Sequence, residues 1–563
     1  MNAAAESSGR FLLHSRHHKA GPPAQSEPQS SEEPGMSNRL LWARAALLAV
    51  LVCPGLALAQ APKPGGTLTF AVSAEPPNYD CHAQSSFAFI HPVRPHYSTL
   101  LRFDTANYPK VVGDLAESWT VAPDGLTYTF RLKRNVKFHD GSALTSEDIK
   151  ATYDRLRKPP QGVRSLREET FKDIASIDTP DPHTVVFRLS RTNASMLSNF
   201  ASPWDCVYSA AKLKTDPKFP ERNILGTGAF TFVEHQAGSH WVGRKFDGYF
   251  EKGKPYLDGY RAVFMGGAPM VNALSAGQVL AEFRGHSPAD RDRLVQALGD
   301  KAVVVESPWV CALVVSFNVK KKPFDDPRVR RALSLAIDRW GGAQALQKIA
   351  LVRHVGGVLR PGYDLATGEA DLVKMPGFAR DINAARAEAR KLLKEANAES
   401  LTFKLTNRNV AMPYTPVGVF LIDQWRQVGL TVQHEQLETR LYLAAQQRDN
   451  PTYDAALDFN CDFMDEPNLQ LQKYLSADRS AINYSGHVDR KLDELYDQQA
   501  GELDRGKRVA LLREFERHAL EQAYVIPTIW WHRIIVHHKP MKGWHITPSH
   551  YVGQDLTDVW LDR

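Results

Sequence analysis

Apolar and polar residues alternate from Leu126 to Leu132: Leu126, Tyr128, Phe130 and Leu132 are separated by Thr127, Thr129 and Arg131. A period of two predicts a half-buried strand, reached through a Pro123-Asp124-Gly125 turn whose glycine supplies the special backbone position. The period then lengthens. Thr145 and Asp148 can form a capping box, and Ile149, Tyr153 and Leu156 recur on one face of the helix it starts. Leu68, Phe70 and Val72 alternate after Gly65-Gly66, which predicts an opening strand, and Val185 to Leu189 and Ala229 to Val233 predict two more.

Helical periods dominate the second half. Asp326-Pro327 predicts a helix start, with Val329, Ala332, Leu333, Ala336 and Ile337 as its buried stripe. Asp381 caps a second helix, and Pro416 starts a third that stops at Gly429. Residues 488–523 read as two amphipathic helices broken near Gly506. Strands and helices interleave irregularly, so the fold class is mixed α/β.

The chain's 563 residues carry a net charge of +6, with no concentrated basic stripe of the kind nucleic acid requires. Met36 begins a secretory pattern: Arg39 and Arg44, then apolar Ala45 to Val52, then Ala57-Leu58-Ala59 at the cleavage positions. The apolar run is shorter than the roughly 20 residues a bilayer span needs. Residues 36–59 are therefore read as a signal peptide with Gln60 as the mature N-terminus, and 1–35 as a disordered leader or a misassigned start. Cys53 follows Val52 where a lipid-anchoring motif wants a small residue, so a soluble periplasmic protein is expected. About 500 mature residues exceed one hydrophobic core and predict at least two lobes. Cys81, Cys206, Cys311 and Cys461 remain, with three possible disulfide connectivities.

Several blocks resemble one family. Gly113-Asp114-Leu115-Ala116-Glu117-Ser118-Trp119 leads to Val136-Lys137-Phe138-His139-Asp140-Gly141, and further on come Gly226-Thr227-Gly228-Ala229-Phe230 and Lys254-Pro255-Tyr256-Leu257-Asp258. Asn272 to Gly277 and Ser316-Phe317-Asn318-Val319 through Ile337-Asp338-Arg339 follow in order. Together they resemble the extracytoplasmic solute-binding proteins of the peptide/nickel (family 5) ABC-importer family. The resemblance implies an α/β, two-lobed periplasmic-binding-protein fold of the type II, large cluster C kind, with a hinge crossed twice. Lobe 1 would be 60–305 plus 526–563, and lobe 2 would be 306–525. It also implies a small-molecule ligand in the inter-lobe cleft, an ABC permease in the inner membrane as partner, no cofactor and no catalysis. A monomer is expected.

For the ligand, the informative stretch is Tyr453 to Pro467. Read as a strand running into a loop, it places Asp458, Asn460 and Asp462 on one face, with Leu457, Phe459, Cys461 and Phe463 on the other. Such carboxylates suit a cationic amine in a cleft; a solvated strand edge fits the same pattern. Peptide-binding members of the family place a Trp and then an amine-pairing acid here. Laid on without gaps, those positions hold Asn460 and Phe463, a departure that puts ordinary dipeptide binding in doubt. Trp204, Trp309 and Phe87 fall in segments that the resemblance places at or near the cleft, as aromatic walls; core packing fits each of them too.

Metal binding is not expected. His537-His538 point oppositely along a strand, and His434-Glu435 lacks the second histidine of a zinc helix. An exported hydrolase is disfavoured, because Ala273-Leu274-Ser275-Ala276-Gly277 lacks the first glycine of a nucleophile elbow. A periplasmic sensor or chaperone-like binding protein on the same fold is the remaining alternative.

Overall fold

The structure, a computed structural model, describes residues 61–410, 412–446 and 451–563. The leader, the signal peptide at 36–59 and Cys53 lie outside the described residues.

Two sheets build around one core. In the first, Thr67–Val72 pairs in parallel with Gly259–Phe264 and with Ala281–Glu282, and His240–Lys245 and Phe230–Gln236 extend it antiparallel. The second is a four-stranded antiparallel sheet in the order Ala116–Val121, Thr127–Leu132, Thr184–Leu189, Ile174–Asp181. The predicted turn between its first two strands forms: Gly125 has φ +69° and its N–H bonds the Ala122 carbonyl at 2.9 Å. The helix Ser146–Arg157 begins at the expected capping box, and Ile149, Tyr153 and Leu156 are fully buried. Tyr153 packs edge-on to Phe171, Phe187 and Phe200 with ring centres 5.1–5.4 Å apart, a geometry aromatic quadrupoles favour.

A six-stranded sheet organises the rest, in the order Val352–His354, Val525–His538, Ala302–Phe317, Ala455–Cys461, Thr402–Arg408, Thr431–Leu437. Helices Pro327–Leu335, Ile382–Glu395 and Tyr414–Arg426 cover it. Their side chains form a second core with Phe317, Phe403 and Trp425, whose indole N–H bonds the Leu333 carbonyl at 2.9 Å. The result is a two-lobed α/β fold. Ala302–Phe317 and Val525–His538 are its long strands, paired antiparallel from Ala302 opposite His538 to Ser316 opposite Val525. Among the described residues no helix is long and apolar enough to cross a membrane.

The helix starts at Asp326 and Asp381 form as expected; each carboxylate accepts backbone N–H groups of the first turn at 2.8–3.0 Å. One boundary differs, and another is sharpened. The third helix begins at Tyr414, two residues before Pro416, because a proline in the first turn removes only an N–H that has no intrahelical acceptor. The terminal helices Arg490–Gly501 and Arg505–Gln522 break at Glu502–Asp504, just before Gly506. Asp504 sets that break by accepting from the Lys507 N–H at 2.9 Å.

Of the three disulfide connectivities, the structure forms Cys81–Cys206 and Cys311–Cys461. The second joins two residues directly opposite in the sheet register. Peptide mapping of the purified protein under non-reducing conditions should recover these two pairs, and either crossed pair would contradict the fold.

Candidate functional site

The strand Ala455–Cys461 leaves the six-stranded sheet at Asp462, whose N–H bonds the Val310 carbonyl at 3.1 Å. The following loop turns away from its own lobe: Phe463, Met464 and Leu469 pack into the first lobe's core. A cavity of about 480 Å³ opens beside this loop. Ser85, Ser165, Arg167 and Thr170 line it from the first lobe, and Cys461, Asp462, Phe463 and Gln472 line it from the second. Its size and its position between lobes are those of a small-molecule site.

Asp462 is half-buried as a residue, but its carboxyl is enclosed by protein. Burial pushes the carboxyl up to about 7, against the Phe463 N–H that it accepts at 2.8 Å and the nearby charge of Arg167. Arg167 donates to the Gln84 carbonyl at 2.6 Å and lies over the Trp204 ring, 4.9 Å from its centre. Burial lowers this guanidinium to about 10, so it stays charged at neutral pH.

The other expected site residues are placed as follows. Asp458 is fully buried and ion-paired with Lys473 at 2.5 Å, and it also accepts the Phe459 N–H at 2.8 Å. Asn460 is buried and donates to the Gln470 carbonyl at 2.9 Å. Period two does put both on one side of the strand, but that side is covered by residues 470–474 and does not face the cavity. Of the three, Asp462 is the one that lines this cavity. Phe463 is buried and forms a wall. Trp204 is buried against Phe89 and Tyr551. Trp309 is buried, donates its indole N–H to His550 Nδ1 at 2.8 Å, and meets Trp531 edge-on. Phe87 is half-buried at the start of the helix Phe87–Val93.

The remaining acids of the loop are already engaged. Asp465 takes a two-pronged hydrogen bond from Arg360 at 2.6 and 2.9 Å. Glu466 accepts from Arg508 and from Ser195 Oγ of the first lobe, both at 2.5 Å. Asn468 donates to Asn193 at 3.2 Å, and the Ala194 N–H bonds the Ala500 carbonyl at 2.8 Å. These contacts latch the segment 193–195 to the second lobe's terminal helices.

One residue absent from the expected set lines the cavity, Arg167, and two more, Arg284 and Tyr551, pack on nearby Phe87 and Trp204. Tyr551 packs against His550 and Trp204. Burial raises its hydroxyl's pKa; Asp462 adds to that rise and Arg284 opposes it. No local motif marks these positions, since each comes from a different segment that only the fold assembles. Among the described residues no group of three or more His, Cys, Asp or Glu is arranged to hold a metal ion. His538 Nε2 instead bonds the Leu274 carbonyl at 2.7 Å.

Comparison with known proteins agrees with this architecture. The chain is 32% identical over 341 residues to the glutathione-binding protein of Pectobacterium atrosepticum, covering 60% of this chain and 62% of that one. The match thus spans less than two thirds of that relative's length. It is 27% identical over 491 residues to the dipeptide-binding protein of Escherichia coli, covering 81% and 87%. Two solved structures share the fold. One is a binding protein of A. tumefaciens R10 in complex with agropinic acid (TM-score 0.76, 23% identity, 88% of this chain and 99% of that one). The other is an ABC transporter-associated periplasmic binding protein of Helicobacter pylori in complex with the peptide STSA (TM-score 0.77, 21% identity, 89% and 99%). Residues 110–481, well over half of the chain, match the family described as bacterial extracellular solute-binding proteins, family 5 middle. The chain belongs to the family 5 bacterial extracellular solute-binding proteins.

Proposed function

We propose that this chain captures a small organic solute, a peptide, amino-acid derivative or related compound, and delivers it to the membrane permease of an ABC importer. The observation that carries the reading is the cavity walled by residues of both lobes, with the Asp462 carboxyl on its second-lobe side and Glu168 and Glu169 on its first-lobe side. A ligand touching both walls favours the closed arrangement by its extra contacts there, and closure is a shift of population without a chemical step. Relatives described as glutathione- and dipeptide-binding support the solute class. Lobe 1 is taken as 60–305 plus 526–563 and lobe 2 as 306–525, with the two long strands as crossings. Export by residues 36–59 would place the protein in the periplasm, as a monomer. Calorimetric titration of the purified protein with glutathione and dipeptides tests the reading; loss of solute uptake on deleting the gene separates import from sensing.

An ammonium group held by Asp462 needs the ionised carboxylate. Because the empty site titrates near 7, affinity for an amine-bearing solute should fall about tenfold per pH unit below that value and level off above it. The effect on the empty protein has the opposite sign. The native carboxyl is raised from 3.8, so the folded state holds a proton that the unfolded chain has lost, and stability declines as pH rises from about 4 to about 7. Asp462→Asn should remove both trends. Titrations at pH 5.5, 6.5 and 8 check this; an unchanged affinity slope in the variant would remove Asp462 from the site.

A further inference from the structure

Arg284 differs from the buried arginines that pair with carboxylates. Arg155 pairs with Asp80, Arg360 with Asp465 and Arg508 with Glu466. Arg284 has no such partner: among the described residues no carboxylate lies within ion-pair distance, and its guanidinium donates no hydrogen bond. It is only half-buried, so part of the head reaches solvent.

Its backbone is fixed on both sides. The Arg284 N–H bonds Glu282 at 2.8 Å, the next N–H bonds the same carboxylate at 2.7 Å, and buried Arg533 donates to the Arg284 carbonyl at 3.1 Å. The guanidinium carbon lies 5.0 Å from the ring centre of Phe87 and 5.8 Å from that of Trp309. Phe87 comes from the first lobe and Trp309 from a crossing strand. Two aromatic faces hold a cation without using its N–H donors. Five donors in a planar fork remain for a guest, and a carboxylate matches that fork with two parallel hydrogen bonds. Both rings adjoin the cavity: Phe87 lies two residues after Ser85, which lines it, and Trp309 precedes Val310, whose carbonyl accepts the Asp462 N–H at 3.1 Å.

On the reading of the cleft as a solute site, we propose that the solute carries a carboxylate, that Arg284 grips it, and that Phe87 and Trp309 flank the grip. The ligand class is then an acidic or zwitterionic compound whose carboxylate is held away from Asp462. This subsite draws on neither Asp458 nor Asn460, whose polar groups are engaged inside the second lobe.

The test is calorimetric titration of the purified protein with matched pairs: glutathione and dipeptides, each against its C-terminal amide, together with a neutral sugar and a polyamine. Any solute carried through purification is identified by native mass spectrometry. The wild type should prefer acid to amide by about 10- to 100-fold, the range for a hydrogen bond to a charged group. Arg284→Gln should lose that preference, and Arg284→Lys should keep part of it by retaining the charge without the fork. Equal binding of acid and amide by the wild type overturns the proposal without requiring any variant to fold. A preference that survives in Arg284→Gln overturns it as well. Tight binding of the sugar or polyamine alone would discard the carboxylate subsite and keep the binding-protein reading. If no solute binds or co-purifies, the binding-protein reading fails and the subsite falls with it.

Discussion

Arg508→Ala is expected to destabilise the protein by about 3–5 kcal/mol, because it strips the cation from a carboxylate that stays buried. Glu466 and Arg508 are each less than a tenth exposed, and one carboxylate oxygen of Glu466 receives both Arg508 and Ser195 Oγ. Ser195 belongs to the first lobe and Arg508 to a terminal helix of the second, so the lost contact also weakens the lobe-to-lobe latch. Two readouts should therefore move together. The unfolding midpoint should drop, and affinity for a cleft ligand should fall because the closed arrangement is less populated. Replacing both partners with apolar residues of similar size, Glu466→Leu with Arg508→Met, removes the stranded charge and should recover much of the stability. It should not recover the affinity, since the latch stays broken. A stability loss below about 1 kcal/mol in Arg508→Ala would show that Glu466 escapes to solvent and that the latch contributes little.

Much of the scaffold was legible in the sequence because its signals are local. A capping box at Thr145 and Asp148, acids before Pro327 and at Asp381, and the turn at Gly125 each act within four residues, and each formed as expected. The one misplaced helix boundary comes from the same local chemistry, because Pro416 fits inside a first turn, and the Asp504 cap fixes the break just before Gly506. The site was less legible. Period two assigns Asp458 and Asn460 to a shared face, but whether that face meets solvent or protein depends on where residues 470–474 fold back, and alternation carries no such information. Arg167, Arg284 and Tyr551 come from segments more than a hundred residues apart, so no spacing rule brings them together. The disulfide pairing was open for the same reason, until the register set Cys311 opposite Cys461.

Lys473→Met should separate structural from ligand-facing acids on the strand before the loop. Lys473 and Asp458 are both at most 3% exposed and lie 2.5 Å apart, and the ammonium also sits 4.4 Å from the centre of the Tyr484 ring. Taking the lysine away leaves Asp458 charged and enclosed, with the Phe459 N–H as its remaining donor. The expected loss is about 3–5 kcal/mol by urea unfolding. Part of it should return at low pH, where the stranded carboxyl can take a proton instead of a counter-ion. Asp458→Asn combined with Lys473→Met should recover much of the loss at neutral pH, because no buried charge is left. Asp462→Asn should behave in the opposite way, with little cost in stability and a clear cost in affinity for an amine-bearing solute. The contrast follows from environment alone: one carboxylate has its cation built into the fold, and the other lines the cavity where a ligand would bring one. If Lys473→Met unfolds no more readily than the parent while Asp458→Asn weakens ligand binding, Asp458 reaches the cleft and the roles of the two acids must be exchanged.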